Sequence, residues 1–291
     1  MSSELRRDSL TGAWVGIAGT RQGRPNRPAA DCPFCVGGLE APDAYEVRAF
    51  ANRWPMWVPG DPVEPAGARL PARGASEVVL YSPDHDASLA SLGTVGVRRV
   101  VDLWAERTAA LLARPEIEYV LVFENRGRDA GATIPHPHGQ IYAFPFVPPV
   151  PARESEIAAQ DGCPLCRERP GERLVHEGAG WRSWVPFAAA YPYELLVAPT
   201  AHVGGLPELD DAGRDGLAAA LVDALGRLDR LFDRPFPYML WVHYGVHLHA
   251  HVAPPRRDAE TMRYVAAGEL GSGTLTNPVV PEAAAEALRR A

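Results

Sequence analysis

Four cysteines and nine histidines carry most of the reactive chemistry in this 291-residue chain. The cysteines fall in two pairs, Cys32-Pro-Phe-Cys35 and Cys163-Pro-Leu-Cys166. Two thiols three positions apart read as half a metal site or as a redox dithiol. A redox dithiol belongs between a strand and a helix, whereas each pair here follows a polar stretch bearing Pro or Gly (RPNRPAAD and PARESEIAAQDG), as in a zinc knuckle. Metal is therefore the expected function. Histidines complete both sets in the same order: Cys32, Cys35, His85 and His136, then Cys163, Cys166, His202 and His247. Two Cys2His2 quartets satisfy the tetrahedral N/S demand of structural zinc, so two zinc ions per chain are expected. His249 shares a strand face with His247 and competes for the fourth place. His247 is preferred because His247-Leu-His249-Ala-His251 then aligns with His136-Pro-His138-Gly-Gln140. His243 and Glu154 are candidates for a different metal set.

Around the first quartet's last ligand runs Phe123-Glu-Asn125-Arg-Gly-Arg-Asp-Ala-Gly131-Ala-Thr133-Ile-Pro-His136-Pro-His138-Gly-Gln140. A strand running into a Gly-rich loop with Asn and Thr offers amides and a hydroxyl to phosphate oxygens. If zinc holds His136, His138 is fixed beside it and faces that loop. Neutral imidazole attacks activated phosphoryl groups and leaves again readily, so activity is expected to peak near neutral pH. Gln140 can donate hydrogen bonds to a phosphoryl group but cannot act as acid or base, which favours transfer over hydrolysis.

Composition limits the rest. Hydrophobic residues make up 46% and charged residues 22%, which fits an ordered globular protein. A net charge of −7 gives no overall basic field for nucleic acid, and all 29 basic residues are arginine, so anion recognition rests on guanidinium forks, backbone amides and histidine. The opening MSSELRRDSLTG has no signal-peptide apolar region and no run reaches a membrane span, so a cytoplasmic location off the membrane is expected. Val- and aromatic-rich runs at 12–17, 76–81, 118–124, 139–144, 193–198 and 237–243 predict strands, and the spacing predicts helices over 95–113, 211–233 and 281–290. The Pro-rich stretch 145–152 reads as a stiff linker. In each half the landmarks keep one order: CxxC, an isolated His before a long helix, then alternating histidines. The chain reads as two copies of one α+β unit, spanning 1–150 and 151–291.

ENRG…GAT-x-PHPHGQIY resembles the galactose-1-phosphate uridylyltransferase family of the histidine-triad superfamily, and the resemblance covers nearly the whole chain. It implies a duplicated histidine-triad-like α+β fold: two mostly antiparallel sheets flanked by helices. It also implies a homodimer working on a nucleotide sugar and a sugar phosphate, in galactose or wider carbohydrate metabolism. By this resemblance His138 is the covalent nucleophile, and Asn125, Gly131, Thr133 and Gln140 contact phosphate. The opening Arg6-Arg7-Asp-Ser-Leu-Thr-Gly-Ala-Trp, the Phe50-x-Asn52 stretch and Arg21-Gln-Gly-Arg24-Pro look like the family's nucleotide-binding signature, which assigns Arg21, Arg24 and Asn52 to the nucleotide. The implied reaction is ping-pong transfer of a nucleoside monophosphate, UMP foremost. The second CxxC and the stretch Gly268-Glu-Leu-Gly-Ser-Gly-Thr-Leu-Thr-Asn277-Pro are closer to a two-zinc subgroup that includes a plant ADP-glucose phosphorylase. Arg263 and Tyr264 stand where the uridylyltransferases carry Lys-Phe, and Glu269 is kept, but Leu275 stands where they carry Gln. Three alternatives follow: a nucleotide-sugar phosphorylase, a histidine-triad hydrolase using His249, and a non-catalytic zinc-containing nucleotide-binding module. The second half lacks an equivalent of the Asn/Gly-Ala-Thr loop, which counts against the hydrolase.

Overall fold

Alternating apolar residues set the strands, and period-3.6 stripes set the helices that cover them. The computed structural model describes residues 3–23, 31–61 and 67–291. In chain order the elements are β1 (Glu4–Arg7), β2 (Trp14–Ile17), β3 (Arg48–Ala51), β4 (Arg69–Pro71), β5 (Ala75–Leu80), α1 (Gly93–Leu112), β6 (Tyr119–Arg126) and β7 (His138–Phe144). Next come α2 (Pro149–Asp161), α3 (Pro164–Arg167), β8 (Leu174–Gly178), β9 (Trp181–Trp184), β10 (Leu195–Pro199), α4 (Asp211–Leu231), β11 (Tyr238–His243), β12 (His249–Ala253), α5 (Ala267–Ser272) and α6 (Pro281–Arg290). All six expected strands and all three expected helices are present, most with ends shifted by a residue or two.

One segment differs from its sequence reading. The expected linker 145–152 runs into α2, and the polar stretch before the second CxxC is that helix, not a loop. Its prolines at 149 and 151 lie in the first turn, where the amides have no intrahelical acceptor and a missing N–H costs little.

The architecture is α+β with two antiparallel sheets flanked by helices. The smaller sheet has the order β2-β1-β4, and the larger has the order β3-β5-β7-β6-β11-β12-β10-β9-β8. Both halves build the larger sheet, and the order reverses about its centre. In the first half β5-β7-β6 leads inward, and in the second β11-β12-β10 leads outward. The halves join where β6 pairs antiparallel with β11, Val122 opposite Val242 and Arg126 opposite Tyr238.

The long helices lie together on one face. On α1 the stripe Val97, Val100, Val101, Trp104, Thr108 and Leu111 is buried, and α4 buries Leu217, Leu221, Ala224, Leu225 and Leu228. Asp210 caps α4 by accepting from the Gly213 amide at 2.8 Å. These stripes pack on Val120 and Val122 of β6, Ile141 and Ala143 of β7, and Leu240, Ala250 and Val252 from the other half. Strand alternation therefore turns His138, Gln140 and Tyr142, and likewise His249 and His251, to the opposite face. There Leu5 of the smaller sheet, Ala72 just past β4, and Met56 and Trp57 of the β3–β4 connection pack against Tyr119 and Phe144. Among the described residues, no helix is long and apolar enough to cross a membrane.

Candidate active site

His138 opens β7 with a fixed ring. Its Nδ1 lies 2.8 Å from the carbonyl oxygen of His136. A carbonyl only accepts, so Nδ1 carries the proton and the neutral ring's lone pair lies on Nε2. Phe34 packs edge-on against the ring at 5.1 Å between centroids. The next residue must be glycine: a Cβ on Gly139 would meet Tyr81 Oη at 2.0 Å from the helix side of the sheet. Gln140 then returns to the site face. Its Oε1 accepts from Asn52 Nδ2 at 3.3 Å, and Asn52 Oδ1 accepts from the Trp54 amide at 2.9 Å. This chain starts at a backbone donor, so it orients both side-chain amides and turns the Gln140 NH2 outward.

The loop between β6 and β7 crosses above this strand. Gly127 (φ +80°) and Gly131 (φ +90°) bracket a single 3-10 turn, Arg128–Ala130, closed by the Ala130 and Ala132 amides on the Gly127 carbonyl. A cavity of about 120 Å³ results, lined by Arg21, Asn125, Gly131, Thr133, His138 and Gln140 together with Tyr142. Arg21 Nη1 donates to Tyr142 Oη at 3.1 Å. A larger cavity of about 640 Å³ shares Asn125, Thr133 and His138 and extends past Arg128 to His85 and Ser88. Of the residues proposed from sequence for substrate contact, these cavities gather Arg21, Asn125, Gly131, Thr133 and Gln140 around His138, with Asn52 behind Gln140. Arg24 lies outside the described residues. Arg263 and Glu269 line neither cavity. Arg263 is buried, donates to Glu269 Oε1 at 2.5 Å and to the Thr276 carbonyl at 3.0 Å, and stacks on Tyr191, so the pair holds the C-terminal arm together.

Behind His138, Cys32, Cys35, His85 and His136 place their ligand atoms within 4.8 Å of one another. Cys35 Sγ is 3.4 Å from His85 Nδ1 and 3.6 Å from His136 Nδ1. Ligands bound tetrahedrally at metal distances stand about 3.5 Å apart, so these spacings suit a metal ion. Burial pushes the His136 imidazole down, toward the neutral form a ligand requires, and its Nε2 donates to the Ser82 carbonyl at 2.8 Å, which leaves Nδ1 for the metal. Tyr45, which nothing in the sequence signalled, sits 2.9 Å from the same Nε2 and donates to the Phe34 carbonyl at 2.7 Å. Burial, with the charges of Cys35 and Cys32, pushes its hydroxyl up to about 12. Burial and Cys32 also raise the Cys35 thiol, a repulsion that a cation would relieve.

The second quartet repeats this construction. Cys163, Cys166, His202 and His247 gather within the same 4.8 Å limit, with sulfur–nitrogen distances of 3.3 to 3.5 Å. His247 Nε2 donates to the Pro199 carbonyl at 3.1 Å. His247, not His249, thus joins the cysteines. His249 copies His138, with Nδ1 2.7 Å from the His247 carbonyl, but its Nε2 faces Glu154 of α2 at 3.7 Å. Glu154 also takes His243 Nδ1 at 2.9 Å, and with His251 these residues form a third group able to hold a metal ion. Burial pushes the Glu154 carboxyl up, but His243 and His249 outweigh it and hold it at about 2. Sequence spacing pointed to Glu154 and His243; the participation of both His249 and His251 emerges only from the fold.

Comparison with known proteins agrees with this geometry. Residues 67–148 match the family model for the galactose-1-phosphate uridyl transferase N-terminal domain, and 163–291 match that for its C-terminal domain. A galactose-1-phosphate uridylyltransferase from Thermotoga maritima is 37% identical over 98% of both chains. A solved uridylyltransferase structure superposes with a TM-score of 0.88 at 30% identity, covering 99% of this chain and 97% of that one. ADP-glucose phosphorylase from Arabidopsis thaliana, crystallised with bound ADP-glucose, gives a TM-score of 0.77 at 26% identity over 100% and 99% of the two chains. Fold and histidine strands together define a nucleotidyltransferase of the histidine-triad superfamily. The chain belongs to the galactose-1-phosphate uridyl transferase family.

Proposed function

We propose that the protein moves a nucleoside monophosphate, UMP foremost, from a nucleotide sugar to a sugar 1-phosphate through a covalent intermediate on His138. The observation that carries this reading is the His138 ring, locked through Nδ1–H on the His136 carbonyl, which lines a cavity together with Arg21, Asn125, Gly131, Thr133 and Gln140. His138 Nε2 attacks the donor's α-phosphorus, an N–P bond forms, and the P–O bond to the departing sugar phosphate breaks. The ring's new positive charge is shared with the proton that Nδ1 keeps on the His136 carbonyl. Gln140 and the loop amides donate to the non-bridging oxygens, and Arg21 offers charge to the outer phosphate. An oxygen of the acceptor phosphate then attacks phosphorus and the N–P bond breaks, restoring neutral His138.

Zinc is the proposed metal at both Cys2His2 sets, held by Cys32, Cys35, His85 and His136 and by Cys163, Cys166, His202 and His247. It would cross-link each half and rigidify the carbonyl that orients the histidine two residues on. The working units are 1–150, with the nucleophile, and 151–291; a cytoplasmic homodimer is the proposed state. A second reading, phosphorolysis of an ADP-sugar with orthophosphate as acceptor, is favoured by the burial of Arg263 against Glu269, away from the cavities.

The test is intact mass after incubation with UDP-, ADP-, GDP-, CDP- or TDP-sugars without acceptor. An increment of one nucleoside monophosphate, absent in His138→Ala, is expected and names the base. Discharge by sugar 1-phosphate or by orthophosphate then distinguishes the two acceptors. Steady release of free monophosphate without an adduct would overturn the transfer mechanism, and neither adduct nor monophosphate with any donor would leave the non-catalytic nucleotide-binding module.

A further inference from the structure

The loop that covers His138 contains a carboxylate. Asp129 sits in the 3-10 turn between Gly127 and Gly131, next in the chain to Arg128, which lines the larger cavity, and two residues before Gly131, which lines the smaller. An isolated carboxylate there would repel the substrate. It is not isolated. Arg256, from the segment after β12, donates to Asp129 Oδ2 through Nε at 2.7 Å and through Nη2 as well. The guanidinium is itself held, with Nη1 on the Ala259 carbonyl at 2.8 Å and its backbone bridged to Met262. Both side chains are three-quarters buried, at 22% and 26% exposure, so the pair is shielded from the screening that weakens surface ion pairs.

The same half of the chain fixes the root of the loop. Arg126 is bound by Asp229 of α4 at 2.6 Å, and Asp229 also accepts from the Phe236 amide at 2.8 Å. Gly127 lies against Pro237, where a Cβ would come within 3.2 Å of the proline side chain. Arg126 and Arg128 both line the larger cavity, Arg126 with its guanidinium engaged by Asp229. Arg126 and Gly127 set where the loop starts, and Arg256 sets how its turn stands.

We infer that Arg256 is a positioning residue for nucleotidyl transfer: it neutralises Asp129 and orients the Arg128–Ala130 turn, so that the loop of one half meets phosphate only when framed by the other. This rests on the reaction proposed above. It predicts an asymmetry that a purely structural clamp would not produce. Losing Arg256 exposes a carboxylate to the phosphates, whereas losing the Asp129 charge does not.

The experiment compares the zinc-loaded wild type with Arg256→Ala, Arg256→Lys, Asp129→Asn and the Arg256→Ala/Asp129→Asn double variant. Two quantities are read: the dissociation constants of UDP and ADP by calorimetry, and the rate of covalent labelling at saturating donor. Arg256→Ala is expected to weaken diphosphate binding and slow labelling by about 10- to 100-fold, with melting temperature little changed. Asp129→Asn should cost several-fold less, and the double variant should recover most of the Arg256→Ala loss. Arg256→Lys, which keeps the charge without the fork, should fall between. Wild-type affinity in Arg256→Ala, or losses that multiply in the double variant, would overturn the inference. Should Arg256→Ala fail to fold, Arg256→Lys against Asp129→Asn tests the same asymmetry. Should the wild type bind UDP or ADP without becoming labelled, the transfer reading fails while the affinities still decide the role of Arg256.

Discussion

The strands β7 and β12 are built alike and surrounded differently. Each follows a histidine that belongs to a Cys2His2 set, and each opens with a histidine whose Nδ1 bonds the carbonyl two residues back, at 2.8 Å in one and 2.7 Å in the other. Around β7 a long Gly-bearing loop leaves cavities beside His138; before β12 only residues 244–248 intervene, and Glu154 of α2 faces His249. A fixed imidazole is thus common to both halves. What separates them is the chain around it: a loop bearing Asn125, Gly131 and Thr133 beside His138, and the Glu154 carboxylate beside His249.

The largest effect is expected at the two rings. His138→Ala should lower labelling by at least ~10⁴-fold with little change in melting, because nothing else takes the place of the nucleophile. His249→Ala should keep the adduct and lose thermal stability instead. Intact mass and calorimetry on the two variants decide it, and an adduct retained in His138→Ala would reverse the assignment.

The metal quartets should differ next. Cys32→Ser should cost several kcal/mol of stability and most of the activity, since it loosens the set that carries His136. Cys166→Ser should cost less, because Cys166 is exposed. Metal content with melting curves before and after chelation measures both.

The seam between the halves should show itself in pH. Glu124 of β6 is buried, takes the Tyr238 hydroxyl at 3.2 Å, and is pushed by burial from 4.5 to about 8. Between these values the folded protein holds a proton that the unfolded chain has lost, so stability falls as pH rises from about 4.5 to 8 and is flat beyond. Glu124→Gln should remove that slope. Its advantage over wild type should grow to a few kcal/mol by pH 8, read as the difference in chemical-denaturation midpoints.

The smallest effect concerns one methyl group. Ala250 occupies on β12 the position that Gly139 occupies on β7. Gly139→Ala should destabilise by about 1–3 kcal/mol, because Tyr81 must move. Ala250→Gly should cost about 1–2 kcal/mol, from backbone entropy and the loss of a buried methyl packed against the helices. Equal costs would mean that Tyr81 yields without strain.

Local patterns made much of this legible. Strand alternation gave β5, β6, β7, β10 and β11, and the order of Cys and His ligands gave two quartets that the fold gathers. What stayed hidden depends on contacts between distant segments. That β6 would pair with β11 is invisible, because either edge could equally have paired with a second copy of its own half. The prolines before Arg153 masked α2, since the first helical turn accepts what an interior turn rejects. Tyr45 carries no motif, and the partnership of Asp129 with Arg256 spans 127 residues without a local trace.

The join at β6 and β11 also governs how the chain can be cut. Each of these strands has its own half on one side and the other half on the other, so separating the halves would bare two apolar strand edges at once. Such edges seek any partner available, including other molecules of the same kind. Either fragment expressed alone should aggregate, and the two made together should reassemble along that edge, which makes the α2 region a natural place to split the protein into complementing pieces.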